Sequence, residues 1–134
     1  MTSTITYLGN LRTQATHIKS GEKIITDAPT DNQGKGEAFS PTDLVATALG
    51  SCMLTVMGIK AKEMQVDLTG AEISITKIMG TEPRRITEIV VAFSLAASTL
   101  SEKEKAILEN TARTCPVFYS LHPELTKTIS FNWN

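Results

Sequence analysis

Residues 40–63 read SPTDLVATALGSCMLTVMGIKAKE and predict one long helix. Ser40 suits the N-cap position, because its hydroxyl can accept a hydrogen bond from a backbone N–H of the first turn. Pro41 then takes the first helical position and Asp43 the third, which is the spacing of a capping box with Asp in place of Glu. The helix is therefore expected to begin at Pro41.

The interior of this helix has no polar face. From residue 44 to residue 59 the sequence is apolar or small on every side of a helical wheel, and such a helix must be covered all round. Lys60 and Lys62 suit the negative end of the helix dipole and place the helix end near Glu63. The charge-free stretch of 16 residues is shorter than the roughly 20 apolar residues that cross a bilayer. We therefore expect a long buried central helix rather than a membrane span.

The sequence on either side of this helix predicts strands, with further helices only in the second half of the chain. Before it, segments rich in Thr and Ile indicate a three-stranded β-meander, followed by a long polar loop. After it come a β-hairpin, a second helix opened by a capping box at Ser101 and Glu104, a short helical turn and a C-terminal strand. The expected bounds are 4–7, 11–18 and 23–26 for the meander, 27–40 for the loop, 68–79 and 86–95 for the hairpin, 101–113 for the second helix and 126–133 for the last strand. This order lacks the β-α alternation of a parallel sheet, so we predict an α+β fold in a single domain, 1–134.

Composition disfavours several classes of partner. The chain has 134 residues and a formal net charge of −1, with neither a polybasic stretch nor an acidic tail. Nucleic acid and membrane surfaces are therefore not expected as partners. The first six residues lack a basic segment followed by an apolar one, so we expect no signal peptide and a cytoplasmic location. Two cysteines in such a chain argue against a structural disulfide framework and leave three alternatives: core residues, half of a metal site, or thiol chemistry.

The two cysteines differ in their local setting. Cys52 lies in the middle of the apolar helix, where a free cysteine is often only a small buried hydrophobe. Cys115 directly precedes Pro116, so its sulfur is expected at a helix N-terminus, where unpaired N–H groups lower the pKa of a thiol. The alternative is that Cys115 merely occupies the cap. Local physics alone therefore favours Cys115 as the more reactive thiol.

The remaining polar residues have ordinary explanations. His17 and His122, together with two distant cysteines, lack the short ligand spacing of a zinc site. Asp43 is accounted for by the capping box, and Arg12 is an isolated cation on an early strand. Arg84 and Arg85 lie on a predicted turn and are expected to be exposed. No phosphate loop, dinucleotide fingerprint or nucleophile elbow is present.

Two motifs in this chain resemble those of the OsmC/Ohr family, in its OsmC-like branch. They are Ser40-Pro41-Thr42-Asp43-Leu44 followed by Ala48-Leu49-Gly50-Ser51-Cys52, and Cys115-Pro116 located 63 positions after Cys52. The polar loop before the helix and the order of elements agree with the same family. The resemblance implies an OsmC-like fold, an intertwined homodimer and thiol-dependent reduction of organic hydroperoxides.

The resemblance also assigns roles to individual residues. Cys52 becomes the peroxidatic cysteine and Cys115 the resolving one, which reverses the preference from local physics. Arg12, the only arginine in the N-terminal half of the chain, matches the cation that supports the thiolate. The acidic position falls on Asp43, where the family usually has Glu; in Ohr members this residue stands one position earlier, at Thr42 here.

The same resemblance implies the partners. No metal or organic cofactor is required, and a dithiol such as a lipoylated protein is the expected reductant. Apolar neighbours at Leu49, Met53 and Val56 are expected to favour organic hydroperoxides over hydrogen peroxide. The alternative from a different class is a non-catalytic OsmC-like dimer that binds a small apolar ligand in the same pocket. The two hypotheses share a fold and differ in the behaviour of the thiols.

Overall fold

The computed structural model describes residues 1–96 and 99–134, whose elements follow the predicted order. Nearly all the predicted bounds are confirmed to within one or two residues. The strands and helices are β1 Ser3–Gly9, β2 Arg12–His17, β3 Lys23–Asp27, α1 Pro41–Glu63, β4 Glu72–Gly80, β5 Arg85–Leu95, α2 Glu102–Ala112, α3 Pro116–Ser120 and β6 Thr126–Trp133. Two compact units divide the chain, Met1–Val45 and Ala46–Asn134. The single domain 1–134 stays a prediction.

The N-terminal unit is the predicted meander. Its three strands pair antiparallel in the order β1-β2-β3. The register places Ile5 opposite Ala15 and Ala15 opposite Ile24, so these residues form one row on one face of the sheet. Ile5 and Ile24 are 69% and 51% exposed in the single chain. The sheet of this unit thus has an exposed row of apolar side chains across one face.

The C-terminal unit contains a second three-stranded sheet, in the order β4-β5-β6. β4 and β5 pair antiparallel as the predicted hairpin, whereas β5 and β6 pair parallel. The α+β class is confirmed, but the absence of β-α alternation gave no hint of this parallel pair. The physical reason is that α2 and α3 lie between β5 and β6 in the chain and supply the long crossover that parallel strands need.

Strand β4 begins four residues later than predicted, at Glu72 instead of residue 68. The amide of Ala71 donates to the carbonyl of Leu68 at 2.9 Å, which closes a turn over this segment. Gly70 has a φ of +87°, a conformation that few other residues adopt. Apolar residues at 66, 68 and 71 pack against the core from this turn, so their pattern imitated a strand.

Helix α1 starts with the predicted capping box. The backbone N–H of Asp43 donates to Ser40 Oγ at 3.1 Å, and the backbone N–H of Ser40 donates to Asp43 Oδ2 at 3.0 Å. Gly50 allows a close approach to β4, because a Cβ there would lie 2.6 Å from the Cδ1 atom of Ile75. The buried residues of the helix recur at helical spacing and join the core of the C-terminal unit: Ala46, Leu49, Gly50, Met53, Met57 and Ala61.

Among the described residues, those on the opposite side of α1 are exposed. Its exposed positions also recur at helical spacing and are small or apolar: Val45, Ala48, Ser51, Thr55 and Ile59. The helix was expected to be covered on all sides. Within a single copy, only one side of α1 is buried. In length and composition α1 is also sufficient to cross a membrane, a test that core helices of soluble proteins pass as well.

Candidate active site

Cys115 lies where its sequence context predicted, at the N-cap of α3. Its Sγ accepts a hydrogen bond from the backbone N–H of Phe118 at 3.3 Å. Pro116 occupies the first helical position, where its missing N–H costs the helix nothing. The side chain is completely buried, and it belongs to the hydrophobic core of the C-terminal unit.

The expectation that this helix terminus activates the Cys115 thiol is wrong. Burial raises the pKa of Cys115 and outweighs the opposing effect of the N–H of Phe118; the neighbouring Cys52 side chain raises this pKa further. Desolvation penalises the charged form of any acid, and one N–H donor does not compensate for complete burial. Cys115 therefore stays protonated at neutral pH, which suits it poorly to be the attacking thiolate.

Cys52 is positioned by the middle of α1. Unlike Cys115 it is only partly buried, and its side chain packs against the core. The two thiols are free, and they are close enough for Cys52 to raise the pKa of Cys115. Two thiols that interact in this way can be joined by a disulfide after a modest movement. The arrangement thus pairs a partly accessible sulfur with a buried, protonated one.

The surroundings of the thiol pair are apolar. Leu49 and Met53 flank Cys52 on α1 and are completely buried, and Val56 is partly buried one helical turn further on. These are the three residues predicted to form the apolar environment. All three contribute to the hydrophobic core of the C-terminal unit, together with side chains of β5 such as Val91.

Arg12 belongs to a cluster of charges in the N-terminal unit. Its Nε donates to Asp27 Oδ1 at 2.7 Å and its Nη2 donates to Asp27 Oδ2 at 2.9 Å. Nη2 also donates to Glu37 Oε2 at 3.1 Å. The description of Arg12 as an isolated surface cation is therefore wrong, because two carboxylates hold its guanidinium.

Asp27 is the residue of this cluster that sequence reasoning missed. Its side chain is 2% exposed, and its Oδ2 accepts a further hydrogen bond from the backbone N–H of Glu37 at 3.1 Å. The hydrogen bond from Arg12 holds the pKa of Asp27 below its usual range, against the opposing effect of desolvation. The usable signal was strand register, since Asp27 ends β3 directly opposite Arg12 on β2.

Asp43 has the structural role that its position predicted. Its carboxylate accepts the N–H of Ser40 and so completes the capping box at the start of α1. This bond satisfies a donor that a helix start would otherwise leave without a partner. A direct part of Asp43 in catalysis stays a prediction.

The two histidines form local hydrogen bonds. His17 pairs with Ser20 at 2.6 Å, and His122 Nδ1 accepts the backbone N–H of Glu124 at 3.1 Å. Across residues 1–96 and 99–134, no group of three His, Cys, Asp or Glu side chains could hold a metal ion. Arg84 and Arg85 are exposed, as predicted.

A cavity of about 570 Å³ lies beside the C-terminal end of α1. It is lined by Leu54, Gly58, Ala61 and Lys62 of the helix and by the segment 65–69. Neither cysteine lines it. This cavity is therefore separate from the thiol pair, whereas the alternative hypothesis placed its apolar ligand in the pocket of the thiols.

The family model described as OsmC-like protein matches residues 34–130 of the chain. The chain belongs to the OsmC-like protein family. The match begins in the polar loop and includes α1 with Cys52, α3 with Cys115, and most of β6. A search of curated protein sequences gave no match.

Solved structures resemble this OsmC-like protein over nearly its whole length. A proposed osmotic stress induced and detoxification response protein from Psychrobacter arcticus 273-4 is 51% identical, with a TM-score of 0.94 over 98% of this chain and 96% of that one. The organic hydroperoxide resistance protein OsmC from Legionella pneumophila is 17% identical, with a TM-score of 0.72 over 98% and 97% of the two chains. OhrB of Bacillus subtilis, also an organic hydroperoxide resistance protein, is 15% identical, with a TM-score of 0.68 over 98% of each chain. The latter two share the fold.

Proposed function

We propose that this OsmC-like protein reduces organic hydroperoxides with the thiols of Cys52 and Cys115. The observation that carries the proposal is the pair of free, interacting thiols at an apolar core. A structural role in packing needs neither a second sulfur nor contact between the two. The organic hydroperoxide resistance proteins that share this fold point in the same direction.

In the first step the thiolate of Cys52 attacks the terminal oxygen of the hydroperoxide. The S–O bond forms as the O–O bond breaks, and the alkoxide leaves and takes up a proton to give the alcohol. Sulfur is oxidised to the sulfenic acid, and the peroxide is reduced. Cys52 is assigned the attack because it is the more accessible sulfur and because Cys115 is kept protonated.

In the second step the thiol of Cys115 attacks the sulfenic sulfur of Cys52. A disulfide forms, and the hydroxyl group leaves with the proton of Cys115 as water. A dithiol reductant then restores both thiols by two thiol–disulfide exchanges and is itself oxidised to a disulfide. A lipoylated protein is the reductant class that we propose. No step requires a metal or an organic cofactor.

Arg12 and Asp43 complete the proposed site. Arg12 supplies the positive charge that stabilises the Cys52 thiolate, because a neighbouring cation favours the ionised form of a thiol. Asp43 is the acidic member of the site and acts through the start of α1, which its carboxylate caps. The apolar residues around Cys52 favour a substrate with a hydrocarbon group.

We further propose that the protein acts as an intertwined homodimer in the cytoplasm. Two apolar faces support the dimer: the row Ile5, Ala15 and Ile24 on the N-terminal sheet, and the exposed side of α1 from Val45 to Ile59. Larger exposed apolar patches usually mark interaction sites. A second copy is the simplest source of cover for both faces.

Thiol counting tests the proposed function directly. The reduced protein should contain two free thiols per chain, and one equivalent of cumene hydroperoxide should remove both and release cumyl alcohol. Peptide mapping should then find Cys52 joined to Cys115. Two unreacted thiols and intact hydroperoxide after this treatment would refute the peroxidase assignment and favour the non-catalytic dimer that binds a small apolar ligand.

A further inference from the structure

The cavity of about 570 Å³ beside the C-terminal end of α1 has an apolar wall. Leu54, Gly58 and Ala61 follow one another at helical spacing, so they share one face of α1. Val66 and Leu68 add further apolar lining, and both also pack against the core. The volume falls in the range of about 300–1,000 Å³ that is typical of small-molecule sites. A small molecule with a hydrocarbon part is therefore suited to this cavity.

Gly58 widens the cavity from the side of the helix. A Cβ atom at this position would meet no atom of the described residues within 4 Å. Glycine is less favourable than alanine in a helix interior, because it loses more conformational freedom when the chain folds. An alanine would fit here without a clash and would favour the helix. The glycine is therefore explained by the space that it leaves in the cavity.

The chain leaves α1 through a hydrogen-bonded turn that forms part of the cavity wall. The backbone N–H of Gln65 donates to the carbonyl of Lys62 at 3.1 Å, and the backbone N–H of Val66 donates to the carbonyl of Ala61 at 2.8 Å. These two bonds form a Schellman motif, which closes a helix end. Gln65 has a φ of +59°, in the left-handed region that glycine usually occupies at this position. The wall is thus a fixed turn, and the cavity is already formed without a ligand.

Two charged side chains, Lys62 and Asp67, line the cavity. Asp67 is held by Thr69, whose backbone N–H donates to Asp67 Oδ1 at 2.9 Å and whose side chain lowers the pKa of Asp67. Lys62 forms no ion pair within residues 1–96 and 99–134. The acidic residue that follows it, Glu63, pairs with Lys60 at 3.0 Å instead. An unpaired positive charge therefore lies next to an apolar wall.

We propose that this cavity binds an aliphatic carboxylate, with its hydrocarbon chain along Leu54, Gly58 and Ala61 and its carboxylate at Lys62. The inference does not rest on the peroxidase reaction, because neither cysteine lines the cavity. Burial of the hydrocarbon chain supplies most of the affinity. The ion pair with Lys62 is exposed to water and contributes less, but it selects an anionic ligand over a cationic one.

The experiment titrates the protein with decanoate, below its critical micelle concentration, in a calorimeter. Decylammonium, which has the same chain length and the opposite charge, is the matched ligand. The parent should bind decanoate more tightly than decylammonium. Gly58→Leu should abolish binding because it fills the cavity, and Lys62→Gln should weaken decanoate binding about threefold. Lys60→Gln makes the same change of charge in the same turn outside the cavity and should leave the Kd unchanged.

A parent protein that binds no decanoate, or that prefers decylammonium, overturns the inference. So does unchanged binding in Gly58→Leu, or an equal loss in Lys60→Gln and Lys62→Gln. Should Gly58→Leu not fold, Gly58→Ala keeps the helix and must still bind decanoate more weakly than the parent. If Gly58→Leu changes the sedimenting species and the parent takes up no decanoate, the cavity is filled by a second copy and the inference fails. Failure of the peroxidase function is seen separately, as cumene hydroperoxide that stays intact without decanoate present.

Discussion

The side chains of Cys52 and Cys115 interact with each other, although 63 positions separate them in the chain. One sulfur is carried by the middle of α1 and the other caps α3. The cap gives the buried sulfur a fixed place, and the partial exposure of Cys52 gives the reacting sulfur access to substrate. The two sulfurs therefore have different roles in the proposed reaction.

Replacing each cysteine by serine should separate the two steps of the reaction. Cys52→Ser should abolish hydroperoxide consumption, because serine cannot form a sulfenic acid. Cys115→Ser should react once and then stop, with one added oxygen on Cys52 that further hydroperoxide increases to two or three. Peroxide assays and intact-protein mass measure both effects. Turnover at the parent rate in Cys52→Ser would show that the reacting sulfur has been assigned wrongly.

The Cys52–Cys115 disulfide should stabilise the folded protein. A link between positions 63 residues apart constrains the unfolded chain by roughly 4 kcal/mol in the entropic model. Strain in a catalytic disulfide reduces this gain, so the figure is an upper value. Urea unfolding of the oxidised and reduced forms measures the difference in the free energy of unfolding. A less stable oxidised form would indicate a disulfide that distorts the core.

The sulfur of Cys115 should stabilise the fold more by accepting the N-cap hydrogen bond than by filling space in the core. Cys115→Ala removes the acceptor for the N–H of Phe118, whereas Cys115→Ser keeps one. Loss of an N-cap acceptor costs about 1 kcal/mol, so the alanine variant should be less stable than the serine variant by about that amount. Urea unfolding of the two reduced variants tests this. If alanine proved the more stable, the buried hydroxyl would outweigh the cap.

Local sequence signals predicted most of the fold. The capping boxes at Ser40 and Ser101, and the Cys115-Pro116 pair, each act within one helical turn, and each is present in the structure. The parallel pairing of β5 with β6 was missed because it joins segments separated by two helices. Nothing in either strand alone records its partner, since parallel and antiparallel strands share the same alternation.

The sequence predicted only part of the candidate site. The contact of Cys52 with Cys115 followed from a resemblance between motifs, and local reasoning about Cys115 chose the wrong reactive thiol. That reasoning considered the helix terminus and could not include burial, which depends on the whole core. Asp27 was missed because its significance comes from strand register. Local sequence reasoning therefore misses roles that depend on contacts between residues far apart in the chain.

The ion pair of Arg12 with Asp27 should make stability depend on acid pH. The pKa of Asp27 is lowered in the folded protein, so its contribution is present above the usual aspartate pKa of about 3.9 and is lost as the pH falls through the lowered value. Asp27→Asn should therefore lower the melting temperature at pH 7, and the gap to the parent should shrink below about pH 4. Glu22→Gln, at an exposed position, is the control and should change neither the melting temperature at pH 7 nor its dependence on pH. A gap that is constant from pH 7 to 3 would contradict this linkage.

We expect the protein to be an obligate homodimer. In one copy, α1 exposes Ser51 and Thr55 between Val45 and Ile59, so a face of small and apolar side chains runs along the helix. Small residues permit close packing of a second helix, and the apolar face of the N-terminal sheet requires cover as well. An interface that covers both should be of the obligate class, above about 2,000 Å². Dissociation should then coincide with unfolding, with a melting temperature that rises with protein concentration.

A charge on the exposed side of α1 should break this dimer. Thr55→Glu would bury an unpaired carboxylate at the interface, and a buried unpaired charge is strongly destabilising. Lys103→Glu, on the exposed surface of α2, introduces the same residue outside the proposed interface and is the control. Sedimentation at low micromolar concentration should give a dimer for the parent and for Lys103→Glu, and monomer, aggregate or unfolded chain for Thr55→Glu. A parent protein that is folded and active as a monomer would exclude the second copy, and the two apolar faces would then need a different partner.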